Sequence, residues 1–176
     1  MITIAAYDPE WPVLFESEAE RIRLSLRELA LRIEHVGSTS VPGLAAKPTI
    51  DIQVSVASLD LLSTFVGSLT ALGYVHVPLG PFDRVYPYFC KPSAWPHSHH
   101  IHLCEVGSEQ ERSHVAFRNY LRCHPEVASQ YVDLKRRLVL LHHGESLESQ
   151  ERYSLSKTQF VASVLALALA ENADVA

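Results

Sequence analysis

The chain of 176 residues has only 3 cysteines, Cys90, Cys104 and Cys123. They are odd in number, far apart and without a CxxC pair, which excludes a paired-cysteine zinc or redox motif and a disulfide-stapled framework. They read as reduced, small apolar residues. Basic charge is also in deficit, with 15 Lys and Arg against 20 Asp and Glu and a formal charge of −5. That sign argues against extended nucleic acid as a partner, because phosphate backbones are held by an excess of Lys and Arg. The longest strongly apolar run, Val161 to Ala170, is half of what a helix needs to span a bilayer. No basic-then-apolar leader opens the sequence. Together these absences predict a soluble, cytoplasmic protein with no membrane partner. A Walker loop is missing as well, since Pro42 stands where its second glycine would be and no Gly precedes Lys47. A GxSxG elbow and a Ser-His-Asp order are absent, so serine-nucleophile hydrolysis has little support.

What is present is a large apolar share, 47%, enough for one core and one domain over residues 1–176. After a possible Asp8 cap, Phe15, Ala19, Ile22, Leu26 and Leu29 recur at helical spacing. A strand is expected at Leu31–Val36, and strict alternation makes Ile50–Val56 a half-buried strand. Ser58–Leu72 reads as a helix stopped by Gly73, while Arg84–Cys90 and His99–Val106 read as a hairpin. From about residue 108 the pattern turns helical, with helices expected at Glu109–His124, Pro125–His143 and Gln150–Glu171. The fold class predicted is α+β: a small mixed β-sheet with helices mainly on one face and a helical C-terminal third.

The stretch HVGSTSVPGLAAKPTIDIQV, His35 to Val54, concentrates the chemistry. Gly37 lets backbone approach a phosphate, and Ser38, Thr39 and Ser40 supply hydroxyl and amide donors. Such residues dominate ordinary turns too, so the turn alone does not decide. Asp51 supplies the second element: it faces away from its strand's apolar stripe and close to the turn. A carboxylate there can hold a divalent cation that bridges phosphate oxygens.

In HSHHIHL, strand alternation puts His100, His102 and Cys104 on one face, while His97 and His99 read as loop. With Asp51, His100 and His102 are candidate ligands of a His/His/Asp metal site or donors to a phosphate. Lys47, Arg84 and Lys157 are the cationic candidates for phosphate, against solvated side chains lying over apolar neighbours. Tyr86 and Tyr88 share a strand face with Arg84 and could stack on a base or cap the sheet, packing being the more frequent outcome. The DLKRR run reads as a solvated helix face.

These features resemble the nucleotidyltransferase superfamily pattern: a hydrophobic residue, Gly and Gly or Ser, then acid-hydrophobic-acid on a strand. Here Val36, Gly37 and Ser38 precede Asp51, Ile52, Gln53 and Val54. The string HVGSTSVPGLAAKPTIDI is similar to the signature of the GrpB family, also called UPF0157. The YDPEWP opening, the His100–Leu103 strand, AFRNYLRCHPE and YSLSKTQF extend that resemblance over almost the whole chain. It implies a polymerase-beta-type nucleotidyltransferase fold, a nucleoside triphosphate or other phosphorylated small molecule, and a divalent metal, Mg or Mn first and Zn or another transition metal as the alternative. Gln53 departs from the pattern, because the superfamily's second acid falls there and an amide binds a hard cation poorly.

The leading expectation is a metal-dependent nucleotidyltransferase in which Asp51 is catalytic, Asp51, His100 and His102 hold metal, and Gly37 to Ser40, Lys47, Arg84 and Lys157 hold phosphate. Its alternatives are a noncatalytic nucleotide-binding or regulatory module and a His/Asp metal-dependent hydrolase.

Overall fold

The computed structural model describes residues 2–142 and 147–173. Helix α1 (Glu10–Leu26) leads into strand β1 (Arg32–Val36), a short 3-10 turn and strand β2 (Ile50–Val56). Helix α2 (Leu62–Thr70) and strands β3 (Val75–Val77), β4 (Tyr88–Lys91) and β5 (His99–Glu105) follow. The chain continues in helices α3 (Glu109–Cys123), α4 (Pro125–Leu141), α5 (Leu147–Leu155) and α6 (Thr158–Ala173). His143, which the sequence pattern assigns to the end of α4, lies outside the described residues.

The five strands form one mixed sheet in the order β1-β2-β5-β4-β3. Within it β2 and β5 run parallel, and the other neighbours are antiparallel. Alternation gives the sheet two unlike faces. Ile50, Ile52, Val54 and Val56 of β2 join Ile101, Leu103 and Phe89 on one of them. The apolar stripe of α1, Trp11, Phe15, Ala19, Ile22 and Leu26, packs there with Phe65 and Leu69 of α2. Each large side chain fully buried in this layer contributes about 1.5–3 kcal/mol. Asp8 Oδ1 accepts from the Glu10 N–H at 2.9 Å just ahead of the first helix, while the N-cap position itself is Pro9 and carries no side-chain cap.

The other face is polar, carrying Asp51, Gln53 and Ser55 beside His100, His102 and Cys104. Helix α3 crosses part of it. Ser108 caps α3 by accepting from the Glu111 N–H at 3.2 Å, and Glu111 accepts from the Gly107 N–H at 2.7 Å. Glu111, His114, Arg118 and Arg122 then recur at helical spacing toward the sheet. Arg118 Nη1 donates to Glu34 Oε2 at 2.6 Å and to the His35 carbonyl at 2.9 Å.

Three local expectations change. The strand expected at Arg84–Cys90 starts only at Tyr88, because Gly80–Arg84 forms a 3-10 turn and Pro87 has no N–H for the ladder. Arg84 is therefore an exposed turn residue rather than a strand residue. The edge strand β3, three residues long, is too short to announce itself by alternation. The helix expected over Gln150–Glu171 is broken at residues 156–157, where Ser156 Oγ donates to the Arg152 carbonyl at 2.8 Å and competes with the helical ladder. Among the described residues, Glu148–Glu171 reaches the length and mean hydropathy of a membrane span, 1.2, but includes this break.

Candidate functional site

Parallel pairing of β2 with β5 sets Asp51 beside His100 and Gln53 beside His102. Asp51 Oδ1 lies 3.0 Å from His100 Nδ1 and 3.5 Å from His102 Nε2. Burial pulls the Asp51 carboxyl upward, but the neighbouring imidazoles outweigh it and hold the group well below the usual carboxylate range. A carboxylate only accepts, so His100 Nδ1–H donates to it. Burial pushes His100 down to about 4 despite that bond. One atom from each of Asp51, His100 and His102 lies within 4.8 Å of the others, a separation that a single metal ion can bridge.

The cluster continues as a chain of hydrogen bonds. His97 Nδ1 is 3.2 Å from His100 Nε2. On the other side, the Tyr86 hydroxyl lies 2.6 Å from His102 Nδ1 and 3.1 Å from His114 Nε2. His114 Nδ1 reaches Gln53 Oε1 at 2.7 Å, and Gln53 Nε2 donates to the Glu111 carbonyl at 3.5 Å. Gln53 is fully buried, so the position of the second acid holds an amide tied to α3. Burial, reinforced by His102, lowers His114 to about 3.

A cavity of about 340 Å³ opens over Asp51, His100 and His102, with Tyr86, Tyr88 and Tyr153 in its walls. Lys47, Lys135 and Lys157 also line it, along with Ser38 and Thr49. Lys135 is 2% exposed and donates from Nζ to the Ala45 carbonyl at 2.6 Å. Burial, then Lys157 and Arg136, pushes it down to about 7. Lys157 sits 4.4 Å over the Tyr153 ring and is pushed to about 8 by burial and Lys47. Burial also lowers Lys47, whose Nζ lies 4.3 Å over the Trp95 ring.

The expected site residues are distributed unevenly. Ser38, Lys47, Asp51, His100, His102 and Lys157 share the cavity. Gly37 backs it, with φ +69°, directly against the Asp51 side chain. Thr39 and Ser40 point inward: Thr39 Oγ1 donates to the Thr49 carbonyl at 3.1 Å and Ser40 Oγ to the Gly37 carbonyl at 2.6 Å. Arg122 holds the same turn from outside, donating twice to the Ser40 carbonyl at 2.6 and 3.1 Å. Arg84 does not line the cavity.

Lys135 is a correction, because the DLKRR run predicts a solvated face. Its signal is nonetheless in the sequence: Ala128, Tyr131, Lys135 and Leu138 form one buried helical stripe, so the lysine sits on the apolar side. Tyr86, expected to pack, instead hydrogen-bonds two histidines. His114 carries no local signal. A larger groove, about 580 Å³ between residues 41–45 and α3 and α4, contains none of the expected site residues.

A family model described as GrpB protein matches residues 1–167. The chain belongs to the GrpB family. A UPF0157 protein of Bacillus subtilis, YqkA, is 35% identical over 141 residues, which cover 80% of this chain and 40% of that protein. The chain thus spans less than half the length of this relative. Among solved structures, conserved protein GrpB from Enterococcus faecalis matches with a TM-score of 0.83 and 34% identity, covering 97% of this chain and 99% of that one. The Cid1 poly(U) polymerase bound to MgATP matches with a TM-score of 0.53 and 15% identity, over 81% of this chain and 46% of the polymerase. At that identity the likeness concerns the fold alone, and it places this GrpB chain among nucleotidyltransferase-like architectures.

Proposed function

We propose that this GrpB chain binds a nucleoside triphosphate, or another small phosphorylated molecule, together with a divalent cation, and transfers a nucleotidyl group to an acceptor. One observation carries the reading: three lysines, Lys47, Lys135 and Lys157, surround a cavity in which, among the described residues, Asp51 is the sole lining carboxylate. Ammonium groups gathered against their mutual repulsion and the cost of burial favour a polyanionic guest. Asp51, His100 and His102 would hold the cation, whose charge would offset that of the phosphates. Ser38 and Lys47 orient the phosphate nearest Asp51. In the transfer step the acceptor oxygen bonds to the α-phosphorus and pyrophosphate leaves, its charge met by Lys135 and Lys157. The overall charge of −5 favours a small ligand over extended nucleic acid. Free thiols on Cys90, Cys104 and Cys123 agree with a cytoplasmic setting.

The buried, amide-filled position at Gln53 favours a second reading, a nucleotide-binding module without turnover. A thermal-shift panel of nucleoside triphosphates with Mg, Mn or Zn tests the first requirement, because binding to the native state raises its stability. A metal-dependent shift with one triphosphate, lost in Asp51→Asn, supports the reading; no shift with any of them removes it. Pyrophosphate release then separates transfer from binding alone.

A further inference from the structure

A second cavity, of about 280 Å³, adjoins the one over Asp51, and Lys47 and Thr49 line both. The two differ in lining. Lys135 and Lys157 belong to the first alone, whereas Ile2, Pro48, Trp95 and Pro96 wall most of the second, which among the described residues has no lining carboxylate. A strongly charged compartment thus meets a largely apolar one, with the Lys47 side chain at the boundary.

Trp95 gives the second cavity its chemistry. Its Nε1 is buried and, among the described residues, no acceptor lies within hydrogen-bond reach, so the indole does not stand there for its N–H. What it offers is a ring face, over which Lys47 Nζ lies 4.3 Å from the centroid. His97 ties that ring to the residues around Asp51. It packs edge-on against Trp95 with centroids 4.7 Å apart, its carbonyl accepts from Thr49 Oγ1 at 3.0 Å, and its Nδ1 lies 3.2 Å from His100 Nε2.

We infer that the second cavity is the nucleobase subsite of the triphosphate site, with the Trp95 ring as its stacking platform. The inference rests on the triphosphate reading above and gives the ligand a direction. Pyrophosphate lies toward Lys135 and Lys157, so the nucleoside leaves the α-phosphate on the side where Lys47 and Thr49 open into the second cavity. A largely apolar compartment suits a neutral heterocycle better than a further phosphate. Lys47 couples the two halves. Its flexible stem lets the ammonium serve the indole face or a phosphate, one at a time. A phosphate that draws Lys47 away uncovers the ring, and a base, which has a π-face of its own, takes the place of the cation. The two cavities together fall in the size range of small-ligand sites, roughly 300–1,000 Å³.

The test compares inorganic tripolyphosphate, which has the charges but no base, with ATP, GTP, CTP and UTP, each with Mn. Calorimetry gives the affinities for wild type, Trp95→Leu and Trp95→Phe. At least one nucleotide is expected to bind wild type about 10-fold or more tighter than tripolyphosphate, the effect of a base–aromatic stack. Trp95→Leu, which keeps an apolar wall, is expected to abolish that advantage without weakening tripolyphosphate, and Trp95→Phe to retain part of it. A merely structural role for Trp95 would weaken both kinds of ligand alike. Of the two tryptophans, Trp11 lies in the core, so indole quenching by the nucleotide that is absent in Trp95→Phe reports the stack.

Tripolyphosphate binding as tight as that of every nucleotide overturns the subsite and leaves the phosphate reading standing. So does a folded Trp95→Leu protein that keeps the nucleotide's full advantage. If neither tripolyphosphate nor any nucleotide binds, the triphosphate reading itself fails, and the subsite fails with it.

Discussion

A Cβ placed on Gly37 would lie 2.4 Å from Asp51 Oδ2, closer than any side-chain carbon tolerates. The same glycine has φ +69° and ψ −171°, a conformation open essentially only to glycine. The turn after β1 is thus built around the Asp51 carboxylate, which occupies the space that a side chain at position 37 would need.

Gly37→Ala is therefore expected to lose about 1–3 kcal/mol of stability from backbone strain, plus the clash. It should also displace Asp51 and weaken any metal-dependent ligand shift. Urea denaturation of Gly37→Ala, Asp51→Ala and the double variant checks this. The two substitutions should be non-additive, Gly37→Ala costing less once Asp51→Ala has removed part of the crowding.

Gln53→Glu keeps the side chain's shape and should still be damaging. The new carboxylate would face the Glu111 carbonyl, two acceptors where there was a donor and an acceptor. The expected loss is about 1–3 kcal/mol, with no gain in Mg affinity, since position 53 is directed at α3 rather than the cavity. Thermal melts with and without Mg measure both effects; tight Mg binding by Gln53→Glu would show that the position can reach the cation after all.

Lys135 and Lys157 give phosphate binding a pH signature. Burial holds them near 7 and 8 in the empty fold, with Lys47 and Arg136 adding repulsion and Asp51 opposing it. A polyanion raises both values, so binding at pH 8 should take up protons, and affinity should fall as pH rises from 7 to 9. Calorimetry in buffers of different ionisation enthalpy detects the uptake. Lys135→Met should remove part of it and weaken binding at least about 10-fold, which is about 1.4 kcal/mol. The empty protein should change little in stability, since removal of a buried ammonium offsets the loss of its hydrogen bond to the Ala45 carbonyl.

Acid should destabilise the fold through its histidines. Burial lowers His35 and His100 to about 4 and His114 to about 3, each from an ordinary value of 6.5. Between those limits the unfolded chain binds more protons than the folded one. Stability is therefore complete above pH 6.5 and declines as the pH falls toward 3. Melting temperatures from pH 7 to pH 4 measure the decline, and it should be shallower in His114→Gln.

The sequence by itself determined what depends on neighbours along the chain. The alternation of Ile50, Ile52, Val54 and Val56 defined β2 and pointed Asp51 to the opposite face, because strand side chains alternate whatever lies around them. Helical spacing likewise defined α1, α3 and α4. The arrangement of the candidate site depended on the tertiary fold. Asp51 meets His100 only because β5 inserts beside β2 in one parallel register, 49 residues later in the chain. Lys135 and Lys157 reach the same cavity because separate C-terminal elements fold back over the sheet, and neither spacing nor composition records that approach. Thr39 and Ser40 show the converse: their type suggested phosphate donors, but their hydroxyls donate to the main-chain carbonyls of Thr49 and Gly37. Periodicity reports which side a residue faces, whereas a binding site depends on which distant residues face the same point.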